Sequence, residues 1–247
     1  MQFKFFPHSN NYTIIPIFLF LTFILASAKS PIKALEFVFT NQSSIADSTQ
    51  KSIVYSLNQL FAQDSLLLQL SSHIKCQNQD RIVHIQWVDF KKLGGYYRLN
   101  QALATAKPQF ETHSQCDQIW INSSQALFKN PQAQALMTES IFHEAAHLIQ
   151  DQNKHKFLCI DQLEGIATAL EAKYFPQGLT VQWRVDNANW KNWPNSIKSY
   201  SSFSYFQSYF NDHSWLDFIS ISKSLDEVNS AQDCEKKLKM ILSSSSR

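Results

Sequence analysis

Charge of either sign is scarce in this 247-residue chain: Asp, Glu, Lys and Arg together make up 17%, and the formal net charge is +2. A balance so close to zero excludes the electrostatic footprint of a nucleic-acid binder. Basic runs that would grip an anionic membrane are equally absent. No segment recurs at a fixed period, which excludes a repeat array. Beyond residue 28 no stretch approaches the roughly 20 apolar residues of a membrane-spanning helix. No two cysteines are spaced as CxxC, which sets aside a cysteine zinc site and a redox motif. Glycine is rare, with 4 residues, so the adjacent pair Gly94-Gly95 stands out as a turn signal.

What is present begins with a leader. Lys4 and His8 precede the apolar run "IIPIFLFLTFILASA", which ends in Ala26-Ser27-Ala28 before Lys29. A charged region, a hydrophobic core and an A-x-A site make up a cleavable export signal. The run is short for a membrane span and Pro16 interrupts it, so residues 1–28 read as a signal peptide rather than an anchor. The expected product begins at Lys29, is exported to the periplasm or secreted, and carries no membrane insertion after cleavage. Its four cysteines, Cys76, Cys116, Cys159 and Cys234, are an even set in an oxidising setting, where two disulfides are expected. Of three connectivities, pairing of neighbours joins Cys76 to Cys116 and Cys159 to Cys234. With 19 Phe, 8 Tyr and 6 Trp the chain has ample material for a core, and disorder is expected only at the end, "ILSSSSR".

"LEFVFT" (35–40) reads as a short strand. Residues 48–72 place apolar side chains at helical spacing and read as one helix. "RIVHIQWVDF" (81–90) alternates and is rich in β-branched residues, a strand followed by a hairpin or excursion at Gly94-Gly95. "DQIWIN" (117–122) is a further strand. Asn130-Pro131 supplies cap and first-turn chemistry for a helix running to about residue 152. Further helices are expected from about Asp161, over roughly 198–225 and over 231–243. Strands first and helices afterwards argue an α+β fold. Two lobes follow from that order, 29–155 with the sheet and the motif helix, and 156–247, mainly helical. Trp183, Trp190 and Trp193 read as packing material of the second lobe.

The stretch "SIFHEAAHLIQDQ" carries the chemistry. On a helix, His143 and His147 lie one above the other and can direct two imidazoles at one ion. Glu144, rotated by about 100° from the first histidine, falls beside such an ion, where it can take a proton from water. This is the HExxH pattern, two zinc ligands and a general base. A catalytic zinc needs a third protein ligand and an open position. A third histidine six residues after the second is ruled out, because position 153 is Asn and His155 comes two residues late. The following helix, "LEGIATALEAKYF", offers Glu164 and Glu171 instead. His73, His84, His113 and His155 show no ligand spacing.

These residues, 143–167, resemble the gluzincin branch of the zincin metallopeptidases, in which a glutamate early in the second helix completes the site. The resemblance implies a zincin-like fold with a small mixed or antiparallel sheet, one zinc ion, His143, His147 and Glu164 as ligands, Glu144 as base, and Glu171 as the reserve ligand. It implies an edge strand that holds substrate, here "QIWIN". Where several gluzincins carry an acidic residue to orient the first histidine, this chain has Thr168; Asp161 or Glu139 are substitutes. Tyr200, ahead of Tyr205 and His213, is the candidate for polarising the scissile carbonyl. The expectation is an exported zinc peptidase acting on peptides or proteins, with no exopeptidase signature. Its competitor is an exported zincin-like binding or scaffold protein that holds metal without turnover.

Overall fold

Alternation of side chains gives the sheet its two faces. In the computed structural model, which describes residues 32–40, 45–74, 81–89, 104–107, 118–123, 132–150, 159–182 and 203–244, the first strand β1 is Glu36–Phe39. It buries Phe37 and exposes Glu36. Helix α1 (Asp47–Gln63) follows, then α2 (Ser65–Ser71) and β2 (Ile82–Val88). In β2 the residues Val83, Ile85 and Trp87 point into the core and their neighbours do not. β1 and β2 are parallel, as a helical crossover between strands requires.

The expected helix over 48–72 is two helices, and Asp64 is the reason. Its backbone leaves helical geometry, and its carboxylate accepts from the Leu67 amide at 2.8 Å, capping α2 as α1 ends. The same carboxylate accepts from the Tyr174 hydroxyl at 2.8 Å, which ties this joint to a helix far along the chain. α1 buries Ile53, Leu57 and Phe61, one stripe of a 3.6-residue period. On its flank Asn58 accepts from the Phe37 amide and donates to the Phe37 carbonyl, so a side chain satisfies the outer edge of β1.

The remaining strands correct two expectations. β3 (Ala104–Lys107) had no recognisable pattern in the sequence, and β4 is Gln118–Asn122. The order is β1-β2-β4-β3, with β2 and β4 parallel and β3 antiparallel to β4. The sheet is therefore mixed and chiefly parallel rather than antiparallel. "QIWIN" is an inner strand, and among the described strands β3 lies outside it. Burial explains the placement: Gln118, Ile119, Ile121 and Asn122 are all buried, as befits a strand covered on both faces.

Helix α3 (Ala133–Gln150) is buried around most of its circumference and packs against β3, β4 and α1. α4 (Ile160–Tyr174) lies against it. Gly165 and Ala167, both buried, leave room for that approach. α5 (Phe203–Asp212) and α6 (Asp217–Asp226) replace the single helix expected over 198–225. The chain turns between them where Trp215 stacks on Phe210, ring centroids 4.4 Å apart, and Ser214 Oγ accepts from the Leu216 amide. α7 (Ala231–Ser244) ends the described chain. One hydrophobic core runs from Leu35 and Phe37 through α1, the sheet, α3 and α4 to Phe206, Phe210 and Phe218. The architecture is α+β and mostly helical. Residues 1–28, Cys76, Cys116, Gly94-Gly95, Asn130-Pro131, and Trp183, Trp190 and Trp193 lie outside the described residues.

The expected Cys159–Cys234 disulfide is formed, across 75 residues, and both sulfurs are buried. It fastens the start of α4 to α7. Closing so long a loop restricts the unfolded chain, and its loss costs roughly 2–5 kcal/mol. The double variant Cys159→Ser/Cys234→Ser is expected to lose stability in that range in chemical denaturation. An unchanged midpoint would show that the bond contributes nothing to the fold.

Candidate metal centre

Three side chains from two helices converge. His143 and His147 project from successive turns of α3, and Glu164 projects from the second turn of α4. His143 Nε2 and His147 Nε2 are 3.0 Å apart. Glu164 reaches both, Oε2 at 3.1 Å from His143 Nε2 and Oε1 at 3.3 Å from His147 Nε2. Ligands at about 2.0–2.1 Å from a tetrahedral ion stand roughly 3.3–3.4 Å from one another. The observed separations match that cup within a few tenths of an ångström. Among the described residues these three are the one group of potential ligands drawn together in this way.

The opposite side of each imidazole decides what faces the cup. Gln150 Nε2 donates to the Leu163 carbonyl at 2.8 Å, which turns its Oε1 toward His147 Nδ1, also at 2.8 Å. An amide oxygen only accepts, so His147 Nδ1 carries a hydrogen. His143 Nδ1 meets Glu171 Oε2 at 2.9 Å, and a carboxylate likewise accepts. With both rings neutral, the two Nε2 atoms would present lone pairs to each other at hydrogen-bond distance. Two lone pairs at that distance repel unless a cation, proton or metal, lies between them.

Electrostatics point the same way. Burial is the strongest single influence on His147 and disfavours its charge. The Glu164 carboxylate in contact with it, the nearby Glu144 and the Gln150 oxygen outweigh burial and raise its pKa from 6.5 to about 9. Burial also works against the charge on Glu164, yet His147 and His143 hold its carboxyl well below the usual 4.5. Access is from the Glu164 side, whose side chain is 22% exposed while that of His143 is 3%.

The structure separates the two glutamates that sequence alone left as rivals. Glu164 enters the cup, and Glu171, fully buried two turns on, stands behind His143 and orients its ring. Thr168 does not do so: its hydroxyl is buried without a hydrogen bond among the described residues. Glu139 stands one step further out, its Oε2 accepting from the Thr180 amide at 2.7 Å and lying 2.8 Å from the Thr180 hydroxyl oxygen, which also contacts Glu171 Oε1. The side chain of Asp161 lies outside the described residues. Sequence reading missed Gln150 as the partner of His147. Its signal was the i, i+3 spacing on a helix already assigned. It also missed Thr180, for which no signal existed. Glu144 is partly exposed beside His147. Tyr200 lies outside the described residues. Tyr205 is 61% exposed, and His213 stacks on Tyr209 with Nδ1 donating to the Tyr209 carbonyl. The chain matches no protein-family model, no curated protein and no solved structure.

A titration tests the cup directly. His147 has a folded pKa above its unfolded 6.5, so its contribution to stability is complete below 6.5 and is lost as pH rises through about 9. Glu164 has a depressed pKa, so its contribution is present above 4.5 and is lost as pH falls through the folded value. In metal-free protein the His147 imidazole should titrate near pH 9 by NMR. It should drop by more than a pH unit in Glu164→Gln. A wild-type His147 titrating at its ordinary 6.5 would contradict the arrangement.

Proposed function

We propose that this protein is an exported zinc-dependent peptidase of zincin-like fold, with His143, His147 and Glu164 as zinc ligands and Glu144 as general base. One observation carries the reading: two imidazoles, each with its Nδ1 occupied from behind, aim their Nε2 lone pairs with a carboxylate at one point. Nitrogen and oxygen donors in a closed set of three, with one side open, suit a catalytic rather than a structural zinc. The second carboxylate behind a ligating histidine is the usual support for such a ligand.

Zinc bound there would supply Lewis acidity and a water whose pKa falls to about 7. The protein supplies the rest. Glu144, adjacent to His143 on the helix and outside the cup, would accept a proton from the attacking water as its oxygen adds to the scissile carbonyl carbon, and would hand that proton to the leaving nitrogen as the C–N bond breaks. A donor to the developing oxyanion is required, and Tyr200 is the residue proposed by its place in the chain. The substrate backbone is proposed to lie along β3, which flanks α3 and is one of the two edge strands among those described. A peptide pairing there would be held by main-chain hydrogen bonds. This moves the substrate shelf from the inner strand β4 to its neighbour.

Three variants separate holding the metal from using it. Glu164→Ala is expected to lose zinc, because two protein ligands remain where a catalytic site ordinarily has three. Glu144→Gln is expected to retain zinc and lose roughly 10²- to 10⁴-fold in peptide hydrolysis, since an amide cannot accept the proton. Glu171→Ala is expected to weaken zinc by roughly 10- to 100-fold without abolishing it, as loss of an orienting partner does. Full zinc content in Glu164→Ala would reject the ligand set. Full activity in Glu144→Gln would reject the mechanism. Stoichiometric zinc in a wild type that cleaves no peptide would favour a metal-holding scaffold.

A further inference from the structure

The support of His143 does not end at Glu171. Glu171 is fully buried, and its outer oxygen, Oε1, contacts the hydroxyl of Thr180. Thr180 is itself anchored, because its amide donates to Glu139 Oε2 at 2.7 Å and its Oγ1 lies 2.8 Å from the same oxygen. Glu139 is a residue of α3, one turn ahead of His143. The line therefore leaves α3 at Glu139, crosses to Thr180 and Glu171, and returns to α3 at His143.

The turn that carries Thr180 is shaped for this approach. Gly178 donates to the Phe175 carbonyl and accepts from the Gln182 amide. A Cβ at Gly178 would stand 2.9 Å from the Phe175 oxygen and 3.0 Å from the Glu139 carboxyl carbon and oxygen. Only glycine allows the chain to come this close to the carboxyl group without displacing it. Glu139, Thr180 and Glu171 are each at most 5% exposed. Buried polar groups without partners are costly, so a closed line of this kind fixes its members in one arrangement.

We infer that Thr180 is a positioning residue for the metal centre, its hydroxyl locking Glu171 against His143 Nδ1 from a turn that Glu139 and Gly178 hold in place. The inference rests on the metal reading above for its consequence, but not for its geometry. Thr180 touches neither the cup nor substrate; it acts through Glu171. Without the hydroxyl, Glu171 loses its Thr180 contact and holds the His143 ring less firmly. Thr168, whose buried hydroxyl makes no hydrogen bond among the described residues, is the matched control.

The test uses the full chain and the variants Thr180→Val, Thr180→Ser and Thr168→Val. Zinc affinity is measured by chelator competition, and the imidazole ¹⁵N–¹H signals of metal-free protein are recorded alongside. Thr180→Val is expected to weaken zinc about tenfold, the low end for loss of outer support. It should also shift and broaden the His143 Nδ1–H signal while leaving that of His147 in place. Thr180→Ser restores both, and Thr168→Val changes neither. Should Thr180→Val fail to fold, Thr180→Ala carries the same expectations. Wild-type affinity together with an unchanged His143 signal in the Thr180 variant would overturn the inference. Equal losses in Thr168→Val would overturn it too, by showing a general packing effect. A wild type that binds no zinc, with the His143 signal still dependent on Thr180, would reject the metal reading and leave the positioning line standing.

Discussion

Two imidazole Nε2 atoms on successive turns of a buried helix stand 3.0 Å apart, a separation that needs a proton or a metal ion between them, and the groups behind both rings hold them there. Rotation is blocked from behind, on one side by Gln150 hydrogen-bonded to the Leu163 carbonyl and on the other by Glu171. Because Leu163, Glu164 and Glu171 all belong to α4, the close contact between α3 and α4 is the condition for the site. Small residues on both helices, Ala146 on one and Gly165 and Ala167 on the other, are buried and suit so close a contact.

This arrangement is an expensive way to fill the centre of a helical layer. Glu139, His143, Gln150, Thr180 and Glu171 are all buried where leucine or alanine would pack without polar obligations. Buried charged networks are commonly no more stabilising than apolar replacements, and often less so. Stability of the fold therefore gives no reason for these residue types. A cation held in common, as proposed above, would give one, because it would draw the two imidazole nitrogens and the carboxylate together. The disulfide at the start of α4 and the Tyr174–Asp64 hydrogen bond near its end secure the helix that carries Glu164 and Glu171.

The sequence was most informative where a regular period met a chemical pattern. His143, Glu144 and His147 were legible because a helix was certain around them and its geometry fixes which side chains share a face. Glu164 was preferred over Glu171 through the gluzincin resemblance, and helical spacing alone did not separate them. Seven residues apart on one helix they share a face, and only the tilt of α4 on α3 decides which meets Nε2 and which meets Nδ1. Thr180 was invisible because its partner Glu139 is 41 residues away and the contact depends on a turn rather than on a period. β3, with the sequence "ATAK", carries neither length nor alternation, and its absence from the reading put β4 at the edge of the sheet. The two overlong helices failed for a local reason. Asp64, and the aromatic turn around Trp215, break a helical pattern that the apolar spacing alone continues through.

The central claim concerns the identity and arrangement of the donors, and X-ray absorption at the zinc edge reads that most directly. The protein, loaded with one equivalent of zinc and dialysed, should show a shell of nitrogen and oxygen neighbours at about 2.0–2.1 Å. The outer-shell pattern should fit two imidazoles, with no sulfur contribution. A shell of oxygens alone, any sulfur neighbour near 2.3 Å, or the absence of retained zinc would contradict the account.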